Sequence, residues 1–212
     1  MEALIPLDLD PRLVTELRAI TTAALDRGVR RDVRLAVTGG SRRRYRLATR
    51  DVLDAESALV ARIYRSPELL ARVAAAAGEP VVPVPYQPEE FIATRLEEPG
   101  DVHGWHWDDY AYALVWVFRA PPPAAGGAVE LVPGVPWDKS APRVREHLRA
   151  GRLQRFHPAA GSAYLLRANA TLHRVAPLRV PAVREMLCFS YANAADARRA
   201  ITHETLEALT CA

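Results

Sequence analysis

Lysine is almost missing from this chain. Lys139 is the only one, so 27 of the 28 basic residues are arginine. An arginine- and alanine-rich composition is what a GC-rich coding sequence produces, and is not by itself a functional signal. Cysteine is scarce too. Cys188 lies inside an apolar run and Cys211 beside the C-terminus, which excludes a disulfide framework. No apolar run reaches membrane-spanning length. The opening Met1-Glu2-Ala3-Leu4-Ile5-Pro6 lacks the basic and apolar segments of a signal peptide, so a soluble cytoplasmic protein is expected. There is no glycine-rich strand-to-helix loop, which removes support for a nucleotide-binding fold. There is no His-Glu-x-x-His and no cysteine pair at structural-zinc spacing. Neither an internal repeat nor an interdomain linker is evident.

An excess of one charge is also lacking. Against 25 acidic residues the formal net charge is +3, too even to argue for nucleic acid. The local cluster Arg30-Arg31, Arg34 and Arg42-Arg43-Arg44 alternates with Leu, Val and Tyr, and so reads as the solvated face of a two-sided strand. What is abundant is apolar residues, half of the total, enough for a sizeable core in a chain of 212 residues.

The first 80 residues read as helices around one hairpin. Asp10-Pro11 starts a helix with Asp as cap and Pro in the first turn, and Gly28 stops it. Residues 33–38 and 44–49 alternate about Gly39-Gly40, as a hairpin does. Asp51 is expected to cap a helix running to Tyr64, and Ser66-Pro67 a third ending at Gly78. From Pro80 the texture changes to short apolar runs punctuated by Pro and Gly. Strands are expected over 91–96, 112–118, 128–133, 152–156, 162–166, 172–175 and 184–191. A small helix is inserted after Pro142, and a terminal helix spans 196–209. Counting the motif segment, about seven to eight strands match the eight of a jelly roll. The fold class is therefore mainly β, a double-stranded β-helix (jelly-roll) core with N-terminal helices and a small helical insert. The expected organisation is one integrated domain: 1–80 as a helical and hairpin support, 81–192 as the core, and 193–212 as a C-terminal helix.

The chemistry concentrates at His106-Trp107-Asp108. Potential ligands at i and i+2 of a strand point to one side of the sheet. One more histidine on a facing strand completes two imidazoles and a carboxylate, the ligand set that holds Fe(II) with open positions. His173, framed by Leu172 and Val175, is the best candidate. His103, three residues before His106, is expected to face the other way, as is Asp109 if Asp108 points in. His147, His157 and His203 fall on an insert, a turn and a terminal helix. The ligands alone do not reject zinc.

In this order the residues resemble the Fe(II)/2-oxoglutarate-dependent dioxygenase superfamily. Its pattern is His-x-Asp, a distal His, and an Arg about ten residues on. Here that is His106-Trp107-Asp108, His173 and Arg184. Gly126-Gly127 and the Gly161 turn resemble further family features, and the resemblance spans roughly residues 86 to 192. It implies Fe(II) held by His106, Asp108 and His173, 2-oxoglutarate as cosubstrate with its distal carboxylate on Arg184, and O2 as oxidant. Ser190 and Arg95 are further cosubstrate candidates. The implied reaction hydroxylates a C–H bond with release of succinate and carbon dioxide. The related halogenases lack the carboxylate ligand, so Asp108 points away from halogenation. Glu130, in the middle of an apolar strand, suits an amine or guanidine of a free amino acid. Tyr112, Trp116 and Trp137 are expected to line the pocket. The expected partner is a small molecule, with neither nucleic acid nor membrane, and a homodimer is compatible with the sequence. The alternatives are a protein side-chain hydroxylase of the same superfamily and a non-catalytic cupin-like binding module.

Overall fold

A computed structural model describes residues 3–210; Cys211 lies outside them. The N-terminal part comprises strand β1 (Leu4–Leu7), helix α1 (Pro11–Arg27), β2 (Val29–Leu35), β3 (Ser41–Ala48), α2 (Arg50–Glu56), α3 (Leu59–Tyr64) and α4 (Pro67–Ala77). Then follow β4 (Val82–Pro83), β5 (Phe91–Leu96), β6 (Val102–His106), β7 (Tyr112–Arg119), β8 (Val129–Pro133), α5 (Val144–Ala150), β9 (Gln154–Phe156), β10 (Ala163–Arg167), β11 (Thr171–Val175), β12 (Arg184–Ala192) and α6 (Glu204–Thr210).

Every strand belongs to one curled antiparallel sheet in the order β1-β10-β7-β12-β5-β3-β6-β11-β8-β9, with β2 added to β3 and β4 to β12. The curl turns at β3. Its C-terminal half pairs with β5 and its N-terminal half with β6, so one strand serves both halves of the jelly roll. The expected hairpin is thus built into the sheet.

Period-two alternation decides which side each residue takes. On β7, Leu114, Trp116 and Phe118 join Phe189 on the outer face beneath α1–α4, where Leu17, Leu53, Tyr64 and Val73 close the main core. Ala113, Val115 and Val117 face the inside of the curl with Met186 and Cys188. The helices begin as their caps direct. The Asp10 carboxylate accepts from Arg12 N at 2.8 Å, and the Ser66 hydroxyl accepts from Leu69 N at 3.2 Å.

Three boundaries differ from expectation, each for a local reason. The first hairpin strand lies at 29–35, and 36–38 is a 3-10 turn in which the Thr38 hydroxyl donates back to Leu35 O. The helix expected from Asp51 to Tyr64 breaks at Ser57, whose hydroxyl accepts from Leu59 N and restarts the chain. The terminal helix is confined to α6, because Asp196 is drawn away to accept from Ala111 N in the core.

Candidate metal and cosubstrate site

His106 ends β6, and His173 is its direct cross-strand partner on β11. Directly opposed residues share a face, so the imidazoles meet, with ring centroids 4.1 Å apart. Asp108 is not on the strand as expected. It lies in the loop after β6, and its Oδ1 still comes within 3.5 Å of His106 Nε2 and 3.6 Å of His173 Nε2. The three ligand atoms form a group compact enough for one metal ion.

The outer bonds of the histidines fix what they can do. His106 Nδ1 is 2.7 Å from Gly104 O, and His173 Nδ1 is 2.8 Å from Thr171 O. A carbonyl only accepts, so each Nδ1 carries a proton and each Nε2 is turned toward Asp108. This is how metal-ligating histidines are oriented. Burial, with His103, His173 and Arg43 nearby, holds His106 well below its usual pKa, hence neutral and able to ligate. Asp108 is pushed up by burial and by Asp109, a cost that a bound divalent cation reverses.

A bulge brings in a residue the alternation excluded. His173 opposes His106, but Val175 opposes His103, so two residues of β11 span three of β6. His103 therefore turns to the same side and stacks on His106 at 4.0 Å, with Tyr45 on its other side at 4.8 Å. Gly104 makes the bulge possible, since a Cβ there would sit 2.5 Å from Arg42 O.

Arg184 is 1% exposed, and neither Nη1 nor Nη2 has a hydrogen-bond partner. It shares the face of Met186, Cys188 and Ser190, all of which line the central cavity, as does Tyr164 beside it. Burial draws the Arg184 pKa down, and the Tyr164 phenol opposes this. A buried guanidinium whose Nη1 and Nη2 lack partners, on the strand face whose next residues line the cavity, fits a carboxylate ligand. Gly127, at φ +72°, leaves room for its stem, and a Cβ there would reach Arg184 Cδ at 3.5 Å.

Three further charges lie in or near the cavity, and of these Arg43 and Glu89 were not singled out in the sequence. Arg43 is fully buried, next to Tyr45 on β3 and opposite His103 on β6. Its partners are the hydroxyls of Ser41 (2.6 Å) and Thr38 (3.5 Å); no carboxylate pairs with it among the described residues, and burial lowers it to about 10. At the mouth, Glu89 and Asp109 line the same cavity. Burial and Asp109 push Glu89 up to about 9. Asp109 does not point away as expected; it is buried and paired with Lys139. His203 joins them, 3.1 Å from Glu89 Oε1 and stacked on Tyr86.

The structure takes several expected residues elsewhere. Arg95 faces the outer side, where it pairs with Glu185 (2.9 Å) and Asp26 (2.7 Å) and donates to Thr22 O. Tyr112 and Trp116 lie in the outer core, Tyr112 donating to Glu79; their parity with Asp108 is lost in the loop between β6 and β7. Glu130 opposes Arg174 and Arg155 and pairs with both, which leaves nothing for a ligand. Trp137 stacks on Trp107 beside the site rather than in it. Ser190 does line the cavity. The basic cluster is largely paired: Arg30 and Arg44 with Glu98 and Asp101, and Arg42 with Asp32.

A family model described as Halogenase D matches residues 1–210. The chain belongs to the Halogenase D family. No curated protein sequence matches. Among solved structures, AviO1 from Streptomyces viridochromogenes Tue57 superposes with a TM-score of 0.64 at 17% identity, covering 92% of this chain and 91% of that one. A 2OG-Fe(II) oxygenase-family oxidoreductase from Burkholderia pseudomallei gives 0.62 at 13% identity, over 90% and 85%. EctD from S. alaskensis, solved with 2-oxoglutarate and 5-hydroxyectoine, gives 0.63 at 13% identity, over 92% and 73%. This member of the Halogenase D family shares the fold of these solved structures. No helix among its described residues is long and apolar enough to cross a membrane.

Proposed function

We propose that the protein is an Fe(II)/2-oxoglutarate-dependent oxygenase that hydroxylates an unactivated C–H bond of a small zwitterionic molecule, a free amino acid first. The observation that carries this is the convergence of two Nε2 atoms and one carboxylate, with a buried guanidinium lacking partners at Nη1 and Nη2 nearby. His106, Asp108 and His173 would hold the metal, and Arg184 the distal carboxylate of 2-oxoglutarate, with Tyr164 and Ser190 along the slot. When bound, the pair supplies the oxidising chemistry, coupled to release of succinate and carbon dioxide.

Charged groups near the cavity support the substrate class. Arg43 is a buried cation without a carboxylate partner, behind His103, which lines the cavity and offers a ring nitrogen; together they suit a carboxylate. Glu89 and Asp109 are carboxyl groups close enough that one is forced to keep a proton, and an ammonium group would replace that proton. EctD, which has this fold and was solved with 5-hydroxyectoine, supports a ligand of that size.

The family description raises chlorination as a second reading. Asp108 stands against it, since its oxygen takes the position toward both histidines that a halide would need. Aerobic incubation with Fe(II), 2-oxoglutarate, chloride and a panel of amino acids separates the two. The expected result is substrate-stimulated succinate release and a product that gains one oxygen. A chlorinated product would overturn hydroxylation, and succinate release indifferent to every amino acid would overturn the substrate class.

A further inference from the structure

Lys139 ties together three segments that are distant in sequence. Its ammonium reaches Asp109 Oδ1 (2.5 Å), Thr202 O, Thr202 Oγ1 (3.1 Å) and Glu204 Oε2 (3.1 Å), and lies 4.6 Å above the Trp137 ring. The segment that carries Lys139 is itself anchored. Val135 N and Trp137 N donate to Ala170 O and Asn169 O, and the Trp107 indole donates to Val135 O at 2.6 Å. Helix α6, seven of whose residues are described, presents Leu206 and Leu209 to the catalytic cavity. A second cavity of about 370 Å³ is bordered by Leu206 and Thr210 together with Val29, Val52 and Tyr86. The helix therefore borders both cavities.

We propose that residues 199–210 form a lid over the catalytic cavity and that Lys139 is its latch. The Lys139 side chain links the anchored insert to the tail oxygens and, at the same point, to Asp109, the residue after Asp108. Closing the tail therefore also seats Asp109 at the cavity mouth. Arg199, donating to Asp109 O at 2.7 Å, and His203, paired with Glu89, are the secondary ties from the tail to the same mouth. Lys139 acts through Asp109 and the tail, and is a positioning residue. This role rests on the cavity being the catalytic one, but its test does not need turnover.

The test is amide hydrogen exchange on the full-length protein without metal or 2-oxoglutarate. Lys139→Met is expected to raise exchange across 203–210 by roughly tenfold while the α1 amides stay unchanged, and Lys139→Arg to restore most of the protection. Glu204→Ala removes one tail contact without unpairing Asp109 and should give a smaller rise in the same peptides. Unchanged exchange across 203–210 in Lys139→Met and Glu204→Ala, or an equal rise throughout the chain, would overturn the latch. A positive exchange result with no turnover on any amino acid would leave the latch standing and reject the substrate class.

Discussion

Arg184 and Glu185 are neighbours on one strand and show two opposite designs. Glu185 faces outward under α1, where Arg95 and the Thr22 hydroxyl satisfy it and Asp26 completes the network. Arg184 faces inward, where Nη1 and Nη2 have no hydrogen-bond partner and only the Tyr164 phenol lies alongside. The same contrast holds across the whole sheet. The outer face matches its charges and buries large apolar side chains, whereas the inner face keeps Arg43 without a carboxylate and Arg184 Nη1 and Nη2 without a partner. Buried polar groups without partners cost stability, and a fold keeps them where a ligand completes them. The outer face explains why the protein folds, and the inner face what it holds.

Substitutions should separate the two faces. The largest effect is expected from His106→Ala or His173→Ala. Turnover should fall by well over 100-fold, because losing even an outer partner of a metal ligand costs about 10–100-fold. Next comes Arg95→Met, which strands the fully buried Glu185. It should destabilise by about 3–5 kcal/mol in denaturant titration and leave the 2-oxoglutarate KM unchanged. Arg184→Met should do the reverse. It removes a buried, unpaired charge, so stability should hold or rise by about 1 kcal/mol, while two lost charge-assisted hydrogen bonds raise the KM for 2-oxoglutarate about 100-fold. If both arginine variants shifted stability and KM alike, the contrast between the faces would fail.

The smallest effect concerns pH. Folded Glu89 keeps its proton up to about 9, whereas an unfolded glutamate releases it near the ordinary value of 4.5. Between those values the folded state binds more protons than the unfolded one, so this group lowers stability as pH rises. Glu89→Gln mimics the protonated acid. Its melting temperature should match wild type below about pH 4 and exceed it by about 2–4 °C at pH 7, with the gap widening toward pH 9. A constant difference at every pH would show that Glu89 acts by shape alone.

The inner and outer faces were not equally legible in the sequence. The jelly roll, the caps at Asp10 and Ser66, and the strand at 91–96 follow from alternation and turn chemistry. The ordered set His106, Asp108, His173 and Arg184 follows from a resemblance whose spacing survives low identity. Alternation misplaced His103, because a bulge adds a residue that no periodicity announces. It misplaced Tyr112 and Trp116 because parity does not carry across a loop. Arg43 was legible in hindsight, since it shares the parity of Tyr45 and Leu47, whereas Arg42, Arg44 and Arg46 face outward to carboxylates. The Glu89, Asp109, Lys139 and His203 cluster had no such signal. Its members come from four loops, and only the tertiary fold brings them together.

The central claim is that one cavity holds Fe(II) and 2-oxoglutarate on His106, Asp108, His173 and Arg184. Anaerobic titration of 2-oxoglutarate into the Fe(II)-loaded protein, followed by the visible charge-transfer absorption of the chelate, tests it most directly. A saturable band is predicted for wild type and for Arg95→Met. In Arg184→Met it should require roughly 100-fold more 2-oxoglutarate, and in His106→Ala it should not form. A band that forms equally well in all four proteins, or in none, would contradict the account.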